Sequence, residues 1–504
     1  MAASAAEGLR VSLDTSLLER FARASGDRNP LHTSREFARR SAFGEPVAFG
    51  MLGVLVCLSA LPRAPGRMLV RLSCRFPQPL FPNLEHALEL RERGSERYAL
   101  RLLDGRRAVA RLEIERGPLR TRRVSLGRRA DRLREPRDPP DAAFVEPVER
   151  SGCYLPDRDA LADLLAGWGL EERGLPIAQA AALCWSSYLV GMELPGRRAL
   201  YSRLDLEFDA TCPATLAALD WSARSEALDS RFSLLRIAAR LASGGEPFAT
   251  LRLESFVRPE VRATAPSRPT GSGRSPLREV TGLVTGASRG LGAALALELL
   301  ARGARTYLGY RHSDAAAREV LRAASDLEGS AALCKGDVCD AGWCARVLEQ
   351  IRSDGPGLDL LVCNAAPALR PLWLEPESLS RLEDHVAAHL SGVATPLAAL
   401  LPELSARGGR VVVISSAASA RPVREWPHYV AAKRAIEGLV EVAALEYPSV
   451  QFWIVQPPRL RTDLTNTPVG WEDARSAQVE AARIVSRLSA PVDPGAVHWI
   501  GPDL

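Results

Sequence analysis

The sequence predicts a multidomain chain. A carboxyl-terminal α/β unit with a doubly wound parallel sheet follows two related regions, each an apolar helix leading into strand-rich sequence. Three observations carry this. Short apolar runs alternate with helical patterns from Gly282 onward, and each run ends in a polar cluster. A glycine turn separates the first of those runs from its helix. A spaced Pro/Ala/Pro-Gly-Arg pattern of the amino-terminal region returns, without a gap, in the middle third.

The elements follow in order. Leu17, Leu18 and Phe21 share one helical face, and Ser25-Gly26 closes that helix. Asp27 and His32 then fall in a turn stiffened by Asn29-Pro30, and Pro46-Val-Ala-Phe-Gly50-Met starts an apolar helix. A carboxylate and an imidazole in one cleft can share a water and do acid/base work. A free N–H at a helix start, here that of Gly50, can polarise a thioester carbonyl. Taken without context, Asp27 is equally a turn cap and His32 a surface histidine.

The repeat sets Pro46-x-Ala48 and Pro65-Gly66-Arg67 against Pro176-x-Ala178 and Pro195-Gly196-Arg197. The copies run on into Leu69 to Phe76 and Ala199 to Phe208. The second copy lacks the Asp…His turn, and Ala180 stands where Gly50 stood. It reads as an architectural half that gives the first half's sheet a partner for its edge. Trp185, Tyr188 and Met192 read as core of the second helix, with an acyl tunnel wall as the sharper alternative. Two segments read as connectors: the arginine-dense Arg120 to Asp141, and Arg262 to Pro276, which is rich in Ser, Gly and Pro. The first is also a basic surface able to attract an acidic carrier protein or a CoA phosphate.

In the carboxyl-terminal part, Gly286, Gly290 and Gly292 allow a tight turn and close approach of backbone to a pyrophosphate at a helix N-terminus. Ser288, Arg289 and Leu291 complete that turn. The next strand, Ala304 to Tyr310, ends in Arg311, and an arginine there suits a ribose 2′-phosphate. Asp337-Val338 follows the third apolar stretch. Leu358 to Cys363 ends in Asn364-Ala365, Val411 to Ile414 in Ser415-Ser416, and Phe452 to Val455 in Gln456-Pro457. In a doubly wound sheet such strand ends hold the ligand. Tyr429 and Lys433 are four apart on a helix and share a face. Lys433 is one of only two lysines in an arginine-rich chain, the other being Lys335. A compact ammonium seats against a ribose where a planar guanidinium does not. Beside a phenol it is expected to lower the tyrosine pKa and make it a usable acid.

With these motifs in the right order and spacing, residues 279–504 resemble the short-chain dehydrogenase/reductase family, most of all its 3-oxoacyl-thioester reductases, with a Rossmann fold. The resemblance implies that Tyr429 donates a proton to a carbonyl oxygen, Ser416 hydrogen-bonds that oxygen, and Lys433 holds the nicotinamide ribose. It places Thr462 at the nicotinamide amide and Asp337 and Val338 at the adenine. It implies NADPH as cofactor, and a homodimer or tetramer formed through this unit. His389 stands where the family's asparagine joins the lysine to a chain of waters, and is the candidate relay residue. Residues from about 10 to 115 resemble the MaoC-type hot-dog (R)-specific enoyl hydratases, through Ser25-Gly-Asp27-x-Asn29-Pro30-x-His32 and Phe43-Gly44-x-Pro46-Val47-Ala48-x-Gly50-Met51. There Asp27 and His32 would be the catalytic pair, with Gly50 and Asn29 at the substrate. The organisation expected is a catalytic hot-dog domain (1–118), a basic linker (119–141), a degenerate hot-dog domain (142–262), a spacer (263–278) and the reductase (279–504).

The combined reading is a bifunctional enzyme. It would reduce a CoA- or carrier-bound 3-oxoacyl thioester and dehydrate the product to a trans-2-enoyl thioester. Two alternatives stay open: a chain with one active site and a degenerate reductase as carrier-binding scaffold, and a reductase of a polyketide or aryl ketone. The 504 residues suggest about three domains at ~150 residues each. A net charge of +5 demands no nucleic acid, and no apolar run reaches the ~18 residues of a membrane span. Nine cysteines without metal-ligand spacing argue for no metal and for a reducing, cytoplasmic setting.

Overall fold

The computed structural model describes residues 9–124, 135–259, 269, 277–465, 473–490 and 492–502. Most of the spacer at 263–278, and the centre of the basic linker, lie outside the described residues. The chain divides into two compact units, with the main boundary between Glu260 and Val261.

The first unit is built on one ten-stranded antiparallel sheet. Its strands are β1 (Leu9–Ser12), β2 (Arg67–Arg75), β3 (Glu85–Gly94), β4 (Arg97–Asp104), β5 (Arg107–Pro118), β6 (Glu149–Tyr154), β7 (Ala199–Phe208), β8 (Leu219–Ser225), β9 (Leu234–Ser243) and β10 (Glu246–Val257). The order β1-β3-β4-β5-β2-β7-β10-β9-β8-β6 is that of two five-stranded halves joined at β2 and β7. There Arg71 pairs with Glu207 and Arg75 with Arg203. The facing pair Cys74 and Leu204 has the same sequence separation as Pro46 and Pro176, so a pseudo-twofold axis passes through it. The junction removes an open edge that each half would otherwise present. Residues of β8 alternate buried and exposed along its whole length, the period of a sheet with one face on a core.

That core is filled by helices. In each half a first helix, α1 (Thr15–Ser25) or α3 (Arg158–Trp168), precedes an apolar one, α2 (Gly50–Leu58) or α4 (Ile177–Tyr188). The Asp14 side chain caps α1 through Leu17 N–H, and Asp157 caps α3 through Ala160 N–H. Left-handed glycines, Gly26 and Gly169, end both. From Met51 to Leu58 and from Ala178 to Tyr188 every residue is buried. The halves differ after those glycines. The first inserts the long segment carrying Asp27 and His32, whereas the second reaches Pro176 through only Leu170–Leu175. The second in turn prolongs α4 by a π-helical turn, Leu189–Glu193. Such turns inside helices are often found at functional sites.

The second unit holds a seven-stranded, wholly parallel sheet: β11 (Thr281–Thr285), β12 (Arg305–Tyr310), β13 (Ala331–Lys335), β14 (Leu360–Cys363), β15 (Arg410–Ile414), β16 (Gln451–Val455) and β17 (Val497–Ile500), in the order β13-β12-β11-β14-β15-β16-β17. Successive residues of the central strands point to opposite faces. Val284, Val362 and Val412 pack with α5 (Gly290–Ala301) and α10 (Ala477–Leu488). Leu283, Leu361 and Val411 pack with α7 (Ala341–Asp354), α8 (Leu379–Arg407) and α9 (Pro427–Glu446). Helix α6 (Asp314–Ala323) joins the first layer. The sequence anticipated six of these strands. It missed β17, because Val497–Ile500 is a short run that includes the polar His498. No described helix is long and apolar enough to cross a membrane, and no group of three or more His, Cys, Asp or Glu among the described residues could hold a metal ion.

Candidate active sites

The first site lies between the two halves of the antiparallel unit. Asp27 is 1% exposed. Its carboxylate accepts from Asn29 N–H at 3.0 Å and from the Ser187 hydroxyl at 2.7 Å. Burial raises its pKa to about 6, against these two bonds. His32 Nδ1–H donates to the Val47 carbonyl at 2.6 Å, which leaves Nε2 with a lone pair, and the ring lies 4.1 Å from that of Phe49. Burial lowers the His32 pKa to about 4. At neutral pH the pair is therefore a carboxylate and a neutral imidazole, both competent as bases. Gly50 opens α2, and its preceding residue, Phe49, supplies no side-chain cap, so the first N–H groups of the helix face outward without an intrahelical acceptor. A methyl on Gly50 would stand 2.9 Å from the Phe76 ring, so glycine keeps this approach open.

The second half is more than architecture. Ser187 reaches Asp27 from α4, and Met192 Sδ accepts from Arg28 N–H at 3.1 Å. Asn29 Nδ2 donates to the Gly191 and Gly196 carbonyls at 3.3 and 3.0 Å, while its Oδ1 accepts from Leu31 N–H. Asn29 thus clamps the turn to the second half; the substrate contact expected of it would compete with these bonds. Trp185, Tyr188 and Met192 are buried in the core. The second half lacks a site of its own for a reason beyond its missing Asp and His. Helix α4 starts earlier in the repeat than α2, so Ala180 N–H already donates to the Pro176 carbonyl. The position equivalent to Gly50 therefore has no free donor.

Gly191 was invisible to motif reading, yet a Cβ there would overlap the Asp27 carboxylate. Gly191→Ala is expected to lower acid/base turnover at Asp27 about a hundredfold, the loss typical of an ångström's misplacement of a catalytic group. Steady-state hydration of an enoyl thioester, the reaction implied by the resemblance of residues 10 to 115, measures this in folded variant, and unchanged activity would show that the π-helical turn does not seat Asp27.

The second site lies at the carboxyl ends of the parallel strands. Gly286 (φ 67°) and Gly290 (φ 55°) take left-handed conformations. A Cβ on Gly286 would stand 2.9 Å from the Ala365 Cα, and one on Gly292 would collide with the Gly286 carbonyl. Arg289 precedes α5 without capping it by its side chain, so the orphan N–H groups of α5 point into the loop. Asn364 Nδ2 donates to the Thr285 and Gly286 carbonyls at 3.1 and 3.2 Å and so fixes the loop's shape. Ala365 N–H reaches Thr285 Oγ1. Ser288 and Leu291 are nearly buried, and Thr462 lies 3.4 Å from where a Gly290 Cβ would be. Arg289 Nη1 donates to Ser313 at 3.1 Å, and exposed Arg311 pairs with Asp337 at 2.9 Å. Val338 packs towards Gly392.

Ser416 caps the short helix after β15, accepting from Ala418 N–H, and its hydroxyl is near enough to Tyr429 to draw the phenol's pKa down. Lys433 is 4% exposed, donates to the Ile414 carbonyl at 2.7 Å and sits 5.6 Å from the centre of the Tyr429 ring. One expectation fails. Lys433 is not what sets the Tyr429 pKa: burial raises it, and the neighbouring Ser416 hydroxyl pulls it partly back. Burial also lowers the Lys433 pKa to about 7, with Glu437 opposing. The lysine lies beside the ring and bonds a backbone carbonyl, so desolvation outweighs its attraction for phenolate. Glu437, which sequence reading missed, accepts from Ser415, Ser419 and Gln456 and stands one turn from Lys433. His389 is 1% exposed, 6.3 Å from the Tyr429 ring.

Comparison with known proteins finds a family match in each of the two units. A family model described as short chain dehydrogenase matches residues 281–473, and one described as MaoC like domain matches 6–109. Dehydrogenase/reductase SDR family member 4 of Bos taurus is 30% identical over 228 residues, 43% of this chain and 78% of that protein. The chain belongs to the short-chain dehydrogenase family. It joins that fold to a MaoC-like domain in one polypeptide. A hydroxynaphthalene reductase of Aspergillus fumigatus is 32% identical over 175 residues, covering 34% of this chain and 62% of that one. Among solved structures, a 3-oxoacyl (acyl-carrier-protein) reductase of Agrobacterium tumefaciens with NADP bound is 27% identical, with TM-score 0.40, over 45% of this chain and 94% of that one.

Proposed function

We propose that this short-chain dehydrogenase reduces 3-oxoacyl thioesters with NADPH to (R)-3-hydroxyacyl thioesters and dehydrates them to trans-2-enoyl thioesters, in fatty-acid or polyketide-type biosynthesis. The observation that carries the proposal is that one chain brings together two groups of residues, Ser416/Tyr429/Lys433 and Asp27/His32 with the Gly50 N–H, suited to consecutive reactions. The glycine loop fits a dinucleotide: Gly286 and Gly292 let it pack tightly on Asn364 and Ala365, the first N–H groups of α5 open into it, and Arg289 and Arg311 lie beside it. Bound NADPH supplies the hydride. Ser416 donates to the ketone oxygen and polarises it, Tyr429 gives that oxygen its proton, and Lys433 orients the ribose. In the other site Gly50 N–H holds the thioester oxygen, while Asp27 and neutral His32 take the C2 proton and return one to the departing hydroxyl. The bordering arginines favour NADPH and so the reductive direction. CoA and an acyl carrier protein are both suitable carriers of the acyl chain, and a homodimer or tetramer through the reductase unit is the assembly we infer from the family.

Mass spectrometry of products from a panel of CoA- and carrier-bound 3-oxoacyl chains tests this. An enoyl product from NADPH and a 3-oxoacyl thioester is expected; a product that stops at the alcohol would leave the reductase alone. His389 in the asparagine position favours the second reading, a dehydratase with a degenerate reductase as carrier-binding scaffold. The likeness to a hydroxynaphthalene reductase favours a third, an aryl or polyketide ketone as substrate.

NADPH is expected to bind about tenfold or more tightly than NADH. A charge-assisted hydrogen bond contributes about 1.5–3 kcal/mol, reduced here because Arg311 is exposed and already paired with Asp337. Fluorescence titration of both nucleotides measures the ratio; equal affinity would remove the roles of Arg289 and Arg311.

A further inference from the structure

The candidate relay residue of the reductase site, His389, belongs to a cluster of three histidines. His385 and His389 lie one turn apart on one face of α8. Their rings meet edge to face at 5.8 Å, and His385 meets His428, the neighbour of Tyr429, at 4.4 Å. His389 and His428 are 1% and 3% exposed, whereas His385 is only partly buried. In each ring one nitrogen is shut off from solvent without a hydrogen-bond partner: Nε2 of His385, Nδ1 of His389 and Nδ1 of His428. A buried polar atom left unpaired costs about 1–3 kcal/mol, so three in one cluster call for a function. A metal is not that function, since the described residues form no ligand set for one.

We propose that His385 and His389 form a proton relay that resupplies Lys433 and Tyr429 from solvent, in place of the asparagine and water chain the family resemblance implies. The relay rests on the reductase reading above. An imidazole accepts a proton on one nitrogen while releasing one from the other, so it conducts without storing charge. The balance is simple. Tyr429 gives its proton to the ketone oxygen, Lys433 reprotonates Tyr429, His389 reprotonates Lys433, His385 reprotonates His389, and solvent supplies His385: one proton enters per carbonyl reduced. Burial and the charge of Lys433 keep both relay imidazoles neutral between transfers. His428 and Tyr429 on α9 pack against them; Glu437 acts on Lys433, and Arg381 of α8 on His428. His428 lies near the Arg370 backbone, which partly offsets the effect of burial on its pKa, and packs edge to face on His385 to position it.

The experiment uses the full chain. His385→Ala and His389→Ala should each lower kcat for ketone reduction about tenfold with KM little changed, and should raise the solvent deuterium isotope effect. Added imidazole should restore much of the rate. His385→Gln, which keeps size and hydrogen bonding, should lose as much as alanine. His389→Asn, which restores the family's residue, should keep most of the rate. Full activity in His385→Gln, or a loss that imidazole does not relieve in folded variant, overturns the relay. If the wild type oxidises no NADPH with any 3-oxoacyl thioester, the reductase reading is what fails. The relay is then decided by nitrogen-15 NMR. His385→Ala should slow exchange of the His389 ring N–H with water, and an unchanged exchange rate refutes it.

Discussion

Tyr429→Phe is expected to reduce ketone reduction by two to four orders of magnitude, the usual contribution of a positioned acid, and to leave hydration of an enoyl thioester unchanged. Asp27→Asn should do the reverse. The ring of Tyr429 is retained in phenylalanine, so packing against Trp426 and His389 survives and folding should not confuse the result. Asn is nearly the size of Asp, but it carries no negative charge to receive the Ser187 and Asn29 donors. Two assays on the same preparations, NADPH absorbance loss and enoyl absorbance, measure both. If either single change stopped both reactions in folded protein, the picture of two independent sites would be wrong.

Lys433→Arg is the second large effect. The substitution keeps the charge, and the chain uses arginine almost everywhere else. Yet Lys433 is buried and its ammonium is fitted to the Ile414 carbonyl. A guanidinium there is broader and cannot give up its proton near neutrality, whereas burial brings Lys433 to about 7. Reduction should fall about a hundredfold or more, and the pH–rate profile should lose the limb that lysine contributes near 7. Near-normal reduction with an unaltered profile would sink the assigned role of Lys433 and leave the fold as it stands.

Much of this was legible in the sequence because the chemistry is local. Gly286, Gly290 and Gly292 sit in one turn, Tyr429 and Lys433 on one helix, and Asp27 and His32 in one loop. What stayed hidden comes from elsewhere in the chain. Ser187 and Gly191 meet Asp27 only because two halves share a sheet, and no spacing rule links residues so distant. His385 joins His389 by helical periodicity and was within reach; His428 joins them only through the packing of α8 on α9. The direction of the Tyr429 shift was misjudged for a related reason. Proximity to a lysine can be read from spacing, but the depth of burial that outweighs it cannot.

The shared antiparallel sheet has a practical corollary for anyone dissecting the chain. The second copy, stripped of its own catalytic turn, still furnishes a wall of the first copy's cleft: Ser187 at the carboxylate, Gly191 beneath it and Gly196 under Asn29. The smallest working fragment of this dehydratase is therefore not the stretch that bears its signature but the pair of copies together. Any tight-binding enoyl analogue should titrate to one equivalent per polypeptide, because the pseudo-twofold relates two scaffolds and only one reaction centre.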